Sequence, residues 1–116
     1  MQKKILIIDD DQNILELLAQ TFVDQGYQVS AYSDSVKASR LEKLEFDIII
    51  SDIMMPNIDG VTLLQGYLDQ GYQGSIYFIT GYSEYPREIL NQFKPKAIIF
   101  KPFDLEEIVQ LVKMRN

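Results

Sequence analysis

Cysteine and histidine are both absent from this 116-residue sequence. Without cysteine there is no disulfide framework, and without either residue the nitrogen and sulfur ligands of zinc sites are missing, so any bound metal must be held by oxygen. Long apolar runs are absent too. None approaches the roughly 20 residues of a membrane-spanning helix, and no cleavable signal pattern precedes Ile5. A cytoplasmic location without membrane contact is therefore expected. Basic residues are few, 11 against 17 acidic ones, for a formal net charge of −6. Sequence-independent binding to nucleic acid draws on Lys and Arg neutralising phosphates, so no direct nucleic-acid binding is expected.

What is present is ordinary globular material: 47% hydrophobic and 24% charged residues, which excludes a disordered polar tail. The length suits one domain over residues 1–116 with a core of its own, and no repeat, low-complexity tract or linker interrupts it. Short β-branched runs at Ile5 to Ile8, Gln28 to Tyr32, Ile48 to Ser51, Ile76 to Ile79 and Ala97 to Phe100 read as five strands. Five helices alternate with them. Ile14, Leu17, Leu18 and Phe22 mark the buried stripe of the first, which Gly26 ends as a C′ glycine. Val36, Ala38, Leu41 and Leu44 mark the second behind an Asp34 N-cap, and the third spans Val61 to Leu68, weakened by Gly66. Pro86 suits the first turn of a fourth helix ending near Phe93, and Asp104-Leu105-Glu106-Glu107 resembles a capping box opening the fifth.

Strict alternation of short strands and helices predicts an α/β fold: a five-stranded parallel sheet, doubly wound, in three αβα layers. In such sheets ligands bind beyond the carboxyl ends of the strands. Asp9 and Asp10, Asp52, Thr80 and Lys101 all fall at such ends. Three acids in one cleft repel, by about 4 kcal/mol for two unit charges some 4 Å apart at an effective dielectric near 20, so cations must sit among them. Lys101 supplies one, and with oxygen donors only, magnesium is the natural second. Aspartates before a helix also serve as caps, but one is enough and Asp11 can supply it, which frees Asp9 and Asp10 for metal. The segment Ile53 to Gly60, with Pro56 and an Asp59-Gly60 turn, fixes a loop over the cleft. A carboxylate at Asp52 beside magnesium and Lys101 can attack a phosphoryl group, with Thr80 as a donor to phosphate oxygen.

The motifs Ile8-Asp9-Asp10, Asp47-Ile-Ile-Ile-Ser-Asp52-Ile-Met-Met-Pro56-Asn-Ile-Asp59-Gly60, Ile79-Thr80-Gly81 and Phe100-Lys101-Pro102-Phe103 occur in this order. Together, over residues 3 to 115, they resemble a response-regulator receiver domain of the flavodoxin-like, CheY-like fold. The resemblance implies two-component signal transduction: a switch that accepts a phosphoryl group on Asp52 and is an enzyme only toward its own phosphotransfer and dephosphorylation. It further implies Mg2+ held by Asp9, Asp10, Asp52 and the backbone carbonyl of Met54, and Thr80 and Lys101 on the phosphoryl oxygens. Implied partners are a sensor histidine kinase or histidine phosphotransfer protein and a downstream protein target, and a cis peptide is implied before Pro102. A weak homodimer through the fourth helix and fifth strand is left open.

Such domains usually carry Tyr or Phe three residues before the lysine, coupling phosphorylation to the face of the fourth helix. Here Ile98 stands there, with no hydroxyl, so that coupling is not expected to run unchanged. Phe100 offers a substitute, or packs as a core aromatic under the fifth helix, which is the expectation. Tyr82, two residues past Thr80, is expected to slow loss of the phosphoryl group by restricting water, against the alternative of an exposed turn aromatic.

Other readings fit less well. A dinucleotide- or flavin-binding domain shares the fold class but wants glycine-rich amides where this chain has Asp9-Asp10-Asp11. A magnesium-dependent phosphatase would want a second acid where Met54 stands. An interaction module that is never phosphorylated, or the receiver part of a longer regulator, remains as the alternative to a free-standing switch.

Overall fold

The computed structural model describes residues 2–81 and 85–116. Five strands, β1 (Lys4–Ile8), β2 (Gln28–Tyr32), β3 (Ile48–Asp52), β4 (Ser75–Thr80) and β5 (Ala97–Phe100), alternate with five helices. The helices are α1 (Gln12–Asp24), α2 (Ser35–Ser39), α3 (Gly60–Asp69), α4 (Arg87–Asn91) and α5 (Leu105–Arg115). All strand pairs are parallel and the order is β2-β1-β3-β4-β5. The direction of winding reverses between β1 and β3, which opens a crevice at their carboxyl ends.

Strand periodicity of two divides the core between the faces of the sheet. Ile5 and Ile7, Ile48 and Ile50, and Tyr77 and Ile79 pack against α1 and α5 through Leu18, Phe22, Ile108 and Val112. Leu6 and Ile8, Ile49, and Ile76 and Phe78 pack on the other face against Leu64, Tyr67, Leu90 and Phe93. Burial on both faces is why β3 reads as an unbroken apolar run.

Several local expectations hold at the level of single bonds. Asp11 caps α1 by accepting from Asn13 and Ile14 N–H groups at 3.0 and 3.3 Å. Gly26, at φ +92°, follows that helix in the left-handed region, and Gly26 and Tyr27 N–H groups close a Schellman motif on Val23 and Phe22 carbonyls. Asp34 and Asp104 cap α2 and α5. The Lys101-Pro102 peptide is cis.

Others need correction. α1 turns Leu15 rather than Leu17 to the core; Leu15 is buried and Leu17 is 56% exposed. α2 stops at Ser39, because Arg40 and Leu41 N–H groups bond three residues back, to Lys37 and Ala38, and tighten the last turn. Leu41 and Leu44 lie beyond the helix and still pack on its cluster. Gly66 leaves α3 intact to Asp69. Pro86 is the N-cap of α4 rather than part of its first turn, and Phe93 lies past its end, edge-on to Phe78. Phe100 does not pack under α5. It shares the Ile98 side of β5, is 51% exposed, and carries the Arg87 guanidinium 5.5 Å from its ring centroid, as a cation–π pair.

Candidate functional site

The carboxyl ends of β1, β3, β4 and β5 bring together the residues singled out in the sequence. Carboxylate oxygens of Asp9, Asp10 and Asp52 lie within 4.8 Å of one another. Asp9 and Asp52 are buried and Asp10 is exposed. Lys101 reaches across from β5 to place its Nζ 3.1 Å from Asp9 Oδ2 and 3.2 Å from Asp52 Oδ2. Asp9 Oδ1 accepts from Asp11 N–H at 2.9 Å, which fixes the carboxylate against the start of α1. Asp52 Oδ1 accepts from Ile53 N–H at 2.9 Å. Among the described residues Asp9 Oδ2 is buried without a hydrogen bond and is paired with the Lys101 ammonium. The Thr80 hydroxyl is likewise buried and has no hydrogen-bond partner among the described residues.

The charges are out of balance. Burial, then the neighbouring Asp9 charge, pushes the Asp52 carboxyl from 3.8 up to about 7, although Lys101 works in the opposite direction. Burial alone would lower Lys101, but Asp52 and Asp9 outweigh it and raise its pKa above the ordinary lysine value. Three carboxylates against one ammonium leave an excess of negative charge in a cluster whose donors are all oxygens. That set fits a hard divalent cation of the Mg2+ kind.

The loop from Ile53 to Asp59 frames the same cleft. Its base closes through Gly60 N–H on Ile53 O at 2.7 Å, and Ile53 N–H bonds Ile79 O at 3.1 Å. Glycine is obligatory at position 60, because a Cβ there would stand 2.1 Å from the Asp52 carbonyl oxygen. Met54 is exposed on this loop. Asp59 caps α3 by accepting from Thr62 N–H at 2.8 Å and also takes the Tyr85 hydroxyl at 2.6 Å. Burial tends to raise its pKa, but these donors hold it below the ordinary aspartate value. From the other side, Ser35 Oγ donates to Pro56 O at 3.0 Å.

Neither Ser35 nor Tyr85 belongs to the sequence-derived site, since side chains that meet a loop from other elements leave no local pattern. Tyr82 lies outside the described residues. Ile98 is half-buried and packs on the α3 and α4 side of the sheet, not in the cleft.

A doubly wound parallel sheet with an acid cluster and a lysine at its carboxyl rim belongs to the class of α/β domains that bind their ligands beyond the strand ends, at the switch point. The profile of the response regulator receiver domain matches residues 5–113, and the chain belongs to that family, the receiver domains of two-component signal transduction. It is 28% identical over 115 residues to the transcriptional regulatory protein PcoR of Escherichia coli, covering 96% of this chain and 50% of PcoR. The chain thus spans about half the length of that relative. The response regulator receiver protein CpdR of Brucella abortus is 28% identical over 120 residues, covering 96% of this chain and 94% of CpdR. Among solved structures, the response regulator TrrA of Thermotoga maritima in complex with Mg2+-BeF superposes with a TM-score of 0.83 at 28% identity, covering 99% of this chain and 100% of TrrA. Receiver domains are signalling domains rather than enzymes in the usual sense. Among the described residues no helix is long and apolar enough to cross a membrane.

Proposed function

We propose that Asp52 accepts a phosphoryl group from a phosphohistidine of a sensor histidine kinase or histidine phosphotransfer protein, and that the domain then switches its affinity for a downstream protein. The observation that carries this reading is the Lys101 ammonium, held between Asp9 at 3.1 Å and Asp52 at 3.2 Å, with Asp10 completing the acid cluster. Asp9, Asp10, Asp52 and the Met54 backbone carbonyl would hold Mg2+, which supplies charge neutralisation for phosphoryl oxygens when bound.

The Asp52 carboxylate attacks phosphorus. A carboxylate O–P bond forms as the N–P bond to imidazole breaks, and the nitrogen leaves with the bonding pair. Lys101 orients the carboxylate through its 3.2 Å contact and is placed to meet charge developing on the phosphoryl group. The buried, unpartnered Thr80 hydroxyl gains an acceptor when a phosphoryl oxygen arrives. Water later reverses the modification by attack on the acyl phosphate, so the chain catalyses only its own gain and loss of phosphate.

Phosphorylation adds about one negative charge at Asp52 and, by drawing on Thr80, biases the stretch from β4 to β5 toward a partner-binding form. The exposed Phe100, Arg87 and Ile89 give that stretch a surface for the downstream protein or for a second copy of the chain. A cytoplasmic setting belongs to the same reading, since phosphohistidine donors act there.

The test is intact-protein mass after incubation with acetyl phosphate, with and without Mg2+, for wild type and Asp52→Ala. One Mg2+-dependent phosphate addition in wild type and none in the variant is expected. No addition to wild type under any condition would leave a constitutive interaction module and defeat the proposal.

A further inference from the structure

We infer that Ser35 is a positioning residue for the metal site, acting through the backbone of the loop between β3 and α3. This role rests on the reading above, in which the Met54 carbonyl is a Mg2+ ligand. Asn57 has φ +70°, and Ile58 N–H bonds Pro56 O two residues back at 2.9 Å. That pairing is a γ-turn with positive φ at its centre, a strained form that persists only where the surroundings over-determine it.

Ser35, the first residue of α2, supplies the constraint. It is 3% exposed, donates from Oγ to Pro56 O at 3.0 Å, and accepts a longer bond from Ile58 N–H at 3.4 Å. One hydroxyl therefore grips both ends of the turn from an element more than twenty residues away in the chain.

Met54 lies between two fixed points. On one side Ile53 is bonded by its N–H to Ile79 O and by its carbonyl to Gly60 N–H. On the other side is the Ser35 grip at Pro56. The Met54 side chain is 44% exposed and gives the loop little anchorage of its own. The direction of its carbonyl is thus set by the backbone on either side. When the hydroxyl goes, the turn can relax, and part of the cost of ordering a ligand falls on the binding step. Partners one shell out from a metal are typically worth about 10 to 100-fold in affinity; with one donor of several affected, about three- to tenfold is expected.

The experiment is calorimetric titration of Mg2+ into wild type, Ser35→Ala, Asp34→Ala and Asp10→Asn, with urea unfolding of each. Ser35→Ala should bind Mg2+ about three- to tenfold more weakly than wild type. Asp34→Ala strips the cap from the same helix, and is expected to lose stability while keeping Mg2+ affinity within about twofold. Should Ser35→Ala not fold, Ser35→Cys keeps the volume with a weak donor and should lie on the same side, weakened by at least about twofold. Wild-type affinity in the Ser35 variants, or equal weakening in Asp34→Ala, overturns the positioning role. Absence of Mg2+ binding by wild type, or undiminished binding by Asp10→Asn, overturns the site reading instead, and the role of Ser35 with it.

Discussion

Replacing Asp52 by Asn should make the metal-free protein more stable above neutral pH, although it removes the proposed phosphoryl acceptor. Asp52 is 4% exposed, and it shares the single ammonium of Lys101 with Asp9, which is wholly buried. Burial and the Asp9 charge push its pKa from 3.8 to about 7. Between those values the folded chain keeps a proton that the unfolded chain has released. Stability is therefore lost progressively as pH rises from about 4 to about 7, and the loss is complete above that. At 1.36 kcal/mol per pH unit this window corresponds to about 4 kcal/mol as an upper bound. Asn cannot ionise, and its carbonyl can still accept from Ile53 N–H, but its amide group faces the Lys101 ammonium less favourably than a carboxylate does. A net gain of about 2 kcal/mol at pH 8 is expected, shrinking as pH falls and gone by about pH 4, where Asp52 is protonated in the unfolded as well as the folded chain. Urea unfolding followed by circular dichroism, without Mg2+ and at both pH values, measures the difference. Saturating Mg2+ should narrow the gap by stabilising the wild-type fold more than the variant, which lacks one of the carboxylates. A variant that is less stable than wild type at pH 8, or a gap that does not change with pH, would refute the electrostatic account.

Two glycine substitutions should separate local conformation from site geometry. Gly26→Ala places a methyl in open space at φ +92°, so it should cost about 1 kcal/mol of unfolding free energy and leave phosphorylation by acetyl phosphate unchanged. Gly60→Ala drives a Cβ to 2.1 Å from the Asp52 carbonyl oxygen, so the backbone of the proposed acceptor must move. It should cost about 2 kcal/mol or more in urea unfolding, and acetyl phosphate labelling of the folded fraction should fall at least about tenfold, since small displacements of a reacting group are amplified in rate. Equal labelling by the two variants would contradict the placement of Gly60 against the acceptor.

The strands and the residues at their carboxyl ends were legible in the sequence because a buried parallel strand is written as a short apolar run, and a polar residue that breaks it marks the rim. Asp9, Asp52, Thr80 and Lys101 each follow such a run, and the structure brings them to one rim. The rotation of α1 was not legible. Apolar pairs at Ile14-Leu15 and Leu17-Leu18 satisfy two adjacent stripes, and contact with the sheet and α5 selects the one through Leu15. The end of α2 was hidden in the same way, since Leu41 and Leu44 keep a helical spacing after the helix has tightened and stopped. Phe100 was misplaced because strand alternation, which puts it on the side of Ile98, counted for less than its aromatic character. The Ser35 grip on Pro56 and the Tyr85 hydroxyl on Asp59 join residues more than twenty positions apart, and no spacing within either segment announces them.

Lys101 comes from the last strand and Asp9 from the first, so almost the whole chain separates the two halves of their ion pair. During synthesis the acids leave the ribosome long before the lysine does, and a chain ending anywhere before β5 holds mutually repelling carboxylates with no ammonium between them. The ion pair that offsets the acids therefore needs the final edge of the sheet in place. A chain cut before β5 is electrostatically unfinished at this site, since it keeps the acids and loses Lys101.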